Sequence, residues 1–193
     1  MGTGNKREFK IMSTRSRIGM FVRDGEGNKT IRSVYVHSDG YPMGVGQKLL
    51  DHWTDPAQIA ALIALGDLSV LGEEIGEKHD FDWRSDKQFK GEGFWPNFDL
   101  IRADPRYKMC LAYARDRGET GVDAQTHTSV DEFLRATSDC NGEWGYLFDP
   151  DNGGWSVTSG SGWGTIEEAV EVEKAERAAY EAQRKAERSL QPA

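Results

Sequence analysis

The sequence contains little cysteine. Its 193 residues include two cysteines, Cys110 and Cys140, which lie far apart and match no zinc-binding spacing. Free cysteine is among the residue types most often buried in folded proteins. We therefore expect two reduced thiols in or near the core, and no metal site that is built on sulfur.

Positive charge is also scarce. Lysine and arginine number 24 against 32 aspartate and glutamate residues, which gives a formal net charge of −8. A general DNA- or RNA-binding protein normally presents a basic surface, because neutralisation of phosphates dominates its affinity. The charge argues against that class, although it leaves room for a local basic pocket. It suits a protein that engages a basic partner or mimics nucleic acid.

The chain lacks any apolar run that approaches the roughly 20 residues of a membrane-spanning helix. Residues 1–12 are mostly polar and mildly basic, which is unlike a secretory signal. We expect these residues to form a mobile leader, and Met12 is a candidate for the natural start. The expected location is therefore the cytoplasm, with no membrane contact.

Alternating apolar residues predict an α+β fold: an antiparallel sheet of two hairpins plus a central strand, with helices packed on one face and a long C-terminal helix. The first hairpin joins predicted strands at Arg17–Arg23 and Thr30–His37. The second joins Glu143–Phe148 and Gly154–Val157. The central strand is predicted at Met109–Ala114.

Capping residues and apolar periodicity predict where the helices lie. In chain order they are expected at Val45–Trp53, from Asp55-Pro56 to Gly66, as a single turn at Leu68–Gly72, from Ser129 onwards, and from Thr165 to about Ser189. The last two begin with a capping box, in which the capping hydroxyl residue is followed three positions later by Glu132 or Glu168.

The chain divides into a leader at 1–12, a single domain at 13–160 and a charged C-terminal helix at 161–193. Within the domain, residues 73–108 mix charges, glycines and aromatic residues without a period. We predict that this segment is a long insertion loop that packs back onto the domain. Its aromatic side chains either attach the loop to the core or stack against a base.

Several short motifs resemble a known family. They are Ser13–Gly19 (STRSRIG), Tyr35–Gly46 (YVHSDGYPMGVG), Leu65–Glu73 (LGDLSVLGE) and Tyr113–Glu119 (YARDRGE). Together they make the region from Ser13 to Val157 similar to a family of small proteins encoded by tailed bacteriophages and prophages. The resemblance implies an accessory protein in the bacterial cytoplasm that alters a host or defence pathway, and it implies no particular reaction.

The first candidate site lies where the second predicted strand leaves the sheet. Tyr35, His37, Asp39 and Tyr41 cluster there, beside glycines that would let a ligand approach the following helix. The spacing matches neither of the common nucleotide-binding glycine motifs. The alternative is a structural turn, in which Asp39 caps the helix and Tyr41 belongs to the core.

The second candidate site lies at the end of the predicted central strand. Arg115 and Arg117 flank Asp116 and precede Glu119. In an acidic protein, such arginines are suited to bind a phosphate or carboxylate group. The alternative is a surface Arg–Asp pair of little energetic value. Both candidate sites would share one pocket if the sheet placed their strands side by side.

The sequence gives weaker evidence for a metal site or a catalytic site than for these two candidate sites. His37, His52 and His79 with nearby aspartates supply possible metal ligands, but no metal-binding or nucleophile motif is present, so we expect no metal and no cofactor.

The leading hypothesis is a non-catalytic protein that binds a small anionic ligand, including a nucleotide, or a host protein. The alternatives are an acidic interaction inhibitor or nucleic-acid mimic, and a small enzyme that uses His37 with Asp39. Self-association through the C-terminal helix stays open.

Overall fold

The computed structural model describes residues 14–91 and 96–189. The strands are β1 (Arg15–Arg23), β2 (Lys29–Val36), β3 (Leu68–Val70), β4 (Leu111–Ala112), β5 (Gln125–His127), β6 (Gly142–Asp149), β7 (Gly154–Thr158) and β8 (Trp163–Thr165). The α-helices are α1 (Gln47–His52), α2 (Pro56–Ala64), α3 (Phe98–Ala103), α4 (Val130–Asp139) and α5 (Ile166–Ser189). The predicted leader at 1–12 lies outside the described residues.

One mixed sheet carries the fold, with strand order β4-β3-β2-β1-β6-β7-β8 and with β5 paired to one end of β2. Both predicted hairpins are confirmed, because β1 pairs with β2 and β6 pairs with β7 in antiparallel fashion. The prediction of a purely antiparallel sheet is wrong. The hairpins join through a parallel β1–β6 pairing, and β2 pairs with β3 in parallel.

Helices cover both faces of the sheet, which corrects the prediction of helices on one face. The main core lies between one face and α1, α2 and the start of α5. On the other face, α4 places Phe133 against Ile31 and Leu147. Glycine makes this second contact possible, since a Cβ at Gly19 would lie 2.8 Å from a ring carbon of Phe133. The pattern of apolar residues in the sequence does not reveal that the absence of a side chain at a glycine leaves space for a helix residue.

The central part of the sheet differs from the prediction in two places. Residues Leu68–Val70 form β3 rather than a helical turn, because they pair with both β2 and β4. The predicted strand at Met109–Ala114 shortens to β4, since Tyr113–Arg117 forms a π-helical turn. Gly118 ends that turn with a φ of 75°, a conformation that glycine adopts easily.

The insertion at 73–108 is more ordered than a simple loop. It contains α3 and short 3-10 turns at Trp83–Ser85, Lys87–Phe89 and Pro105–Lys108. Trp83, Phe89 and Ile101 are buried together in a small cluster of their own. The insertion therefore builds a satellite core, and Phe94 and Trp95 lie outside the described residues.

The long C-terminal helix α5 is confirmed. Thr165 caps it, because the Thr165 hydroxyl accepts a hydrogen bond from the Glu168 N–H at 3.2 Å. Ile166 and Val170 are buried in the main core, whereas residues 174–188 are exposed. Among the described residues, no helix is both long and apolar enough to cross a membrane.

Candidate functional site

Polar side chains line part of the sheet face that carries α4. Apolar residues of β1 and β2 alternate into the main core, so the residues between them point to the opposite face. Arg17 and Tyr35 are direct cross-strand partners there. We call this surface the polar sheet face, and its members are Arg15, Arg17, Ser33, Tyr35, His37 and His127.

Arg17 is the unusual member of the polar sheet face. The residue is only 3% exposed, yet its guanidinium forms no ion pair with any described residue. One hydrogen bond holds it, from Nη1 to the Ser33 hydroxyl at 3.0 Å, and its buried Nε has no acceptor within the described part of the chain. A buried charge normally has a partner of opposite sign. The charge of this guanidinium is therefore only partly compensated, since the Asp67 carboxylate acts on it from beyond ion-pair distance.

Ser33 and His127 complete a buried polar network around Arg17. The Ser33 hydroxyl lies 2.7 Å from Nε2 of His127, and both residues are buried. Burial lowers the pKa of His127, and the positive charge of Arg17 lowers it further. The imidazole is therefore neutral at pH 7 and adds no second charge beside the guanidinium.

Arg15, Tyr35 and His37 form the neighbouring part of the polar sheet face. The Tyr35 hydroxyl lies 2.8 Å from Nδ1 of His37. Burial raises the pKa of Tyr35, while a hydrogen bond from Arg15 opposes the rise. Burial and the charge of Arg15 both lower the pKa of His37. A neutral His37 that accepts at Nδ1 carries its proton on Nε2, which is then a donor for a ligand.

Asp67 links this face to the second candidate site. Its carboxylate accepts a hydrogen bond from the Tyr35 N–H at 2.8 Å, and its carbonyl accepts one from the Tyr113 N–H at 3.1 Å. The two candidate strands are thus not adjacent, because β3 lies between β2 and β4. Burial raises the pKa of Asp67, whereas the hydrogen bond from the Tyr35 N–H and the positive charge of Arg17 act in the opposite direction.

A shallow, open cleft of about 560 Å³ lies between β5 and α4. Its lining includes Gln125, His127, Glu132, Arg135 and Asp139. His127 belongs to both the cleft and the buried network, so the cleft lies two hydrogen bonds from Arg17. Glu132 is already engaged by the N–H and hydroxyl of Thr128.

Comparison with known proteins gives no relative. The chain matches no family model, no curated protein sequence and no solved structure. The function has to be argued from the site itself.

Arg115, the first arginine of the second candidate site, is committed to the fold. It donates Nε and Nη2 hydrogen bonds to both oxygens of Asp116. Its Nη1 donates to the carbonyls of Ile75 and Gly76, and Nη2 also donates to the carbonyl of Cys110. A guanidinium has five N–H donors, so none remains for a ligand. Arg115 fastens the start of the insertion to the domain.

Arg117 and Glu119 lie at the rim beside the insertion. They pair with each other at 3.1 Å and are both well exposed. The Arg117 guanidinium stands 5.0 Å from the centre of the Phe81 ring, and Phe81 contacts the Tyr113 ring at 5.3 Å between centroids. These contacts bring one aromatic residue of the insertion to the Tyr113 end of the sheet.

The Tyr41 hydroxyl donates a hydrogen bond to the Asp39 carboxylate at 3.4 Å, and Tyr41 lies against α5. The Tyr41 ring faces the Arg177 guanidinium at 5.7 Å, and the Met43 N–H donates to Glu173 at 2.8 Å. The Asp39 side chain caps no helix, although its carbonyl accepts a hydrogen bond from the Val45 N–H at 2.8 Å. Nδ1 of His37 contacts the Tyr35 hydroxyl, and no hydrogen bond joins His37 to Asp39 among the described residues.

No group of three or more histidine, cysteine, aspartate or glutamate side chains within 14–91 and 96–189 is arranged to hold a metal ion. Both cysteines are free, with Cys110 buried and Cys140 partly exposed.

Sequence reasoning missed Arg15, Arg17, Ser33 and His127. A usable signal was present for the two arginines, because RSRIG alternates polar and apolar residues with the period of a half-buried strand. Arginines on the polar side of such a strand share one face with the alternate residues of its partner. For His127 the sequence carries no signal, since the short β5 pairing that positions it is set by tertiary contacts.

Proposed function

We propose that the protein is a phage-encoded accessory protein that binds a small anionic ligand at the polar sheet face without catalysing a reaction. The phage origin rests on the sequence motifs described above. The binding function rests on one observation, which is that the buried Arg17 guanidinium forms no ion pair with a carboxylate among the described residues. The host or defence pathway that it would alter is part of the same proposal.

The energetic argument starts from the cost of burying a charge. Removal of a guanidinium from water costs several kcal/mol even after relaxation of the protein, and one neutral hydrogen bond does not offset this. Arg15 lies two residues from Arg17 on the same face of β1, about 7 Å along the strand. A phosphate or carboxylate group held by these two arginines would offset the cost with charge-assisted hydrogen bonds.

Tyr113 makes a nucleotide a suitable form of this ligand. Its ring belongs to the strand edge next to Asp67, and it is only partly buried. An aromatic face at one end of the site and two arginines at the other fit a base and a phosphate. Adenosine monophosphate should then bind more tightly than ribose 5-phosphate, whereas equal affinities would restrict the site to the phosphate group.

The test is an Arg17→Met variant, studied in buffer with and without inorganic phosphate at constant ionic strength. Methionine fills a similar volume without charge, so we expect the ligand-free variant to be as stable as the wild type or more stable. We expect phosphate to raise the unfolding midpoint of the wild type in a saturable way and to have little effect on the variant. Denaturation followed by circular dichroism measures both.

Arg23→Met is the matched control. Arg23 lies at the far end of β1, has a side chain that is 63% exposed and pairs with Asp151 at 3.4 Å. We expect this variant to respond to phosphate like the wild type. A purely structural Arg17 would give the opposite pattern: loss of stability in Arg17→Met, and an equal phosphate response in all three proteins.

The enzyme alternative has one geometric feature in its favour, the 2.7 Å contact between Ser33 and His127. A nucleophilic serine needs such a base. Ser33, however, is completely buried, and its hydroxyl already accepts the Arg17 hydrogen bond. The pair therefore supports the arginine and not a covalent step.

Protein interaction is the second candidate function, because residues 174–188 of α5 are exposed. These residues carry five lysine or arginine side chains against three glutamates, so this surface lacks the acidic charge of the inhibitor predicted from the net charge. A chain that ends at residue 177 keeps the contacts of Ile166, Val170 and Glu173 with the domain. Loss of partner capture with retention of phosphate binding would favour the helix as the interaction surface, and unchanged capture would remove it.

A further inference from the structure

Arg84 is a second incompletely compensated cation, in the part of the insertion that forms the satellite core. Burial lowers its pKa, whereas Tyr107 and the charge of Asp39 act in the opposite direction. Among the described residues it has neither a hydrogen-bond acceptor nor an ion-pair partner, and its Nε is buried. Its guanidinium stands 5.2 Å from the centre of the Trp83 ring and 5.9 Å from that of Tyr107. Aromatic faces stabilise a cation but do not satisfy its N–H groups.

Like Arg84, Lys48 of α1 is a partly buried cation that forms no ion pair among the described residues. Its ammonium group donates one hydrogen bond, to the Leu71 carbonyl at 2.7 Å, and forms no ion pair within the described segments. Burial lowers its pKa, and Arg84 lowers it further, whereas Asp39 and Glu73 act in the opposite direction from beyond ion-pair distance. Two donors of the ammonium group thus remain for another acceptor.

The base of the insertion brings these two cations towards each other. Leu71, which binds Lys48, immediately precedes the insertion. The Glu73 N–H donates to the Lys108 carbonyl at 2.7 Å, which closes the two ends of the insertion against each other. Tyr107, the residue before Lys108, contacts Arg84. The positive charge of Arg84 lowers the pKa of Lys48, which agrees with this placement.

Unpartnered buried nitrogens are concentrated at this end of the insertion. Besides Arg84 Nε, the described residues with such atoms include Trp83 Nε1 and His79 Nε2. Trp83 is completely buried. Buried polar groups are nearly always satisfied, so the N–H donors of Arg84 and Trp83 call for acceptors. In a neutral His79, Nδ1 donates to the Glu77 carbonyl and Nε2 is an acceptor.

We propose that Lys48 and Arg84 form a second anion site, at the base of the insertion, for a phosphate or carboxylate group. The site lies on the side of the sheet that carries α1, whereas the polar sheet face lies on the other side. It does not depend on the proposed function, since it shares no residue with the polar sheet face. A bound anion would join α1 to the insertion and hold the insertion against the domain.

The experiment measures inorganic phosphate binding by calorimetry in the Arg17→Met background, where binding at the polar sheet face is removed. We expect residual binding there, and we expect Arg84→Gln or Lys48→Gln to weaken it at least tenfold. Lys87→Gln, at an exposed lysine of the same insertion, should leave it unchanged. Arg84→Lys keeps the charge and should retain most of the binding.

Two results would overturn this inference. One is the absence of phosphate binding in Arg17→Met while the wild type binds, which leaves the polar sheet face as the sole site. The other is equal affinity in Arg84→Gln and its parent, provided that circular dichroism shows both to be folded. Conversely, if wild type and Arg17→Met bind identically but Arg84→Gln does not, the second site stands and the proposed function fails.

Discussion

Substitution of Arg115 tests whether this residue is structural. In Arg115→Gln, all five guanidinium hydrogen bonds are lost or replaced by weaker ones, and the completely buried Asp116 side chain loses its cation. Breaking a buried ion pair by removal of one partner costs about 3–5 kcal/mol. Asp116 keeps hydrogen bonds from the N–H groups of Ala112 and His79, so we expect the lower end, about 3 kcal/mol.

The pH dependence of this loss of stability shows whether the ion pair between Arg115 and Asp116 is its cause. Burial raises the pKa of Asp116, but hydrogen bonds led by that from Arg115 outweigh it, and the pKa is lowered overall. The ionised carboxylate therefore contributes stability above the unfolded-state pKa of about 3.9, and this is lost as pH falls through the folded-state pKa. The deficit of Arg115→Gln should be largest near pH 7 and should shrink in acid, where a protonated Asp116 needs no cation.

Urea denaturation at several pH values measures this free energy. Arg117→Gln is the control, because Arg117 is 54% exposed and its pairing with Glu119 is worth little. We expect the control to remain within about 0.5 kcal/mol of the wild type. A loss below about 1 kcal/mol in Arg115→Gln at pH 7, or a deficit that does not change with pH, would refute the structural role.

Three further predictions follow from the geometry. Gly19→Ala should destabilise the protein by about 1–3 kcal/mol in urea, because the new methyl group would meet Phe133, Ile31 and Leu147 at 2.8–3.2 Å; Gly25→Ala, in open space, should not. The pKa values of His37 and His127, measured by NMR, should lie below the ordinary value of about 6.5. Between the folded-state and unfolded-state pKa values the unfolded chain binds more protons than the folded protein, so stability should fall as pH drops through that interval. A titration at or above that value would contradict their burial. The pKa of Cys110 is raised to about 11, so a thiol reagent at pH 8 should modify Cys140 quickly and Cys110 only on unfolding.

Local signals predicted the elements that local physics determines. The Asp24 carboxylate accepts hydrogen bonds from the Glu26 and Asn28 N–H groups, which builds the first hairpin turn from residues close in sequence. Asp55 caps α2 in the same local manner. The order of the strands is not local. The β1–β6 pairing joins residues more than 120 positions apart, and no periodicity specifies such a partner.

The sequence predicted only part of the candidate site, because the rest of the site depends on contacts between residues that are distant in the chain. Tyr35 and His37 were found because they lie on a recognisable strand end. Arg115 was misjudged, since its acceptors are backbone carbonyls on a distant segment that the sequence does not display. The sequence did not single out Arg17, because its proposed role depends on its burial. That burial depends on how the whole sheet is assembled.

The most direct test of the proposed anion site observes the Arg17 Nε–H group itself. Two-dimensional ¹⁵N NMR of the arginine side chains, with the Arg17 signal assigned by its absence in Arg17→Met, follows this group during a titration with inorganic phosphate. The account predicts a saturable shift of the Arg17 signal and slower exchange of its proton with water, while the Arg23 signal stays in place. An Arg17 signal that does not move as phosphate is added would contradict the anion site.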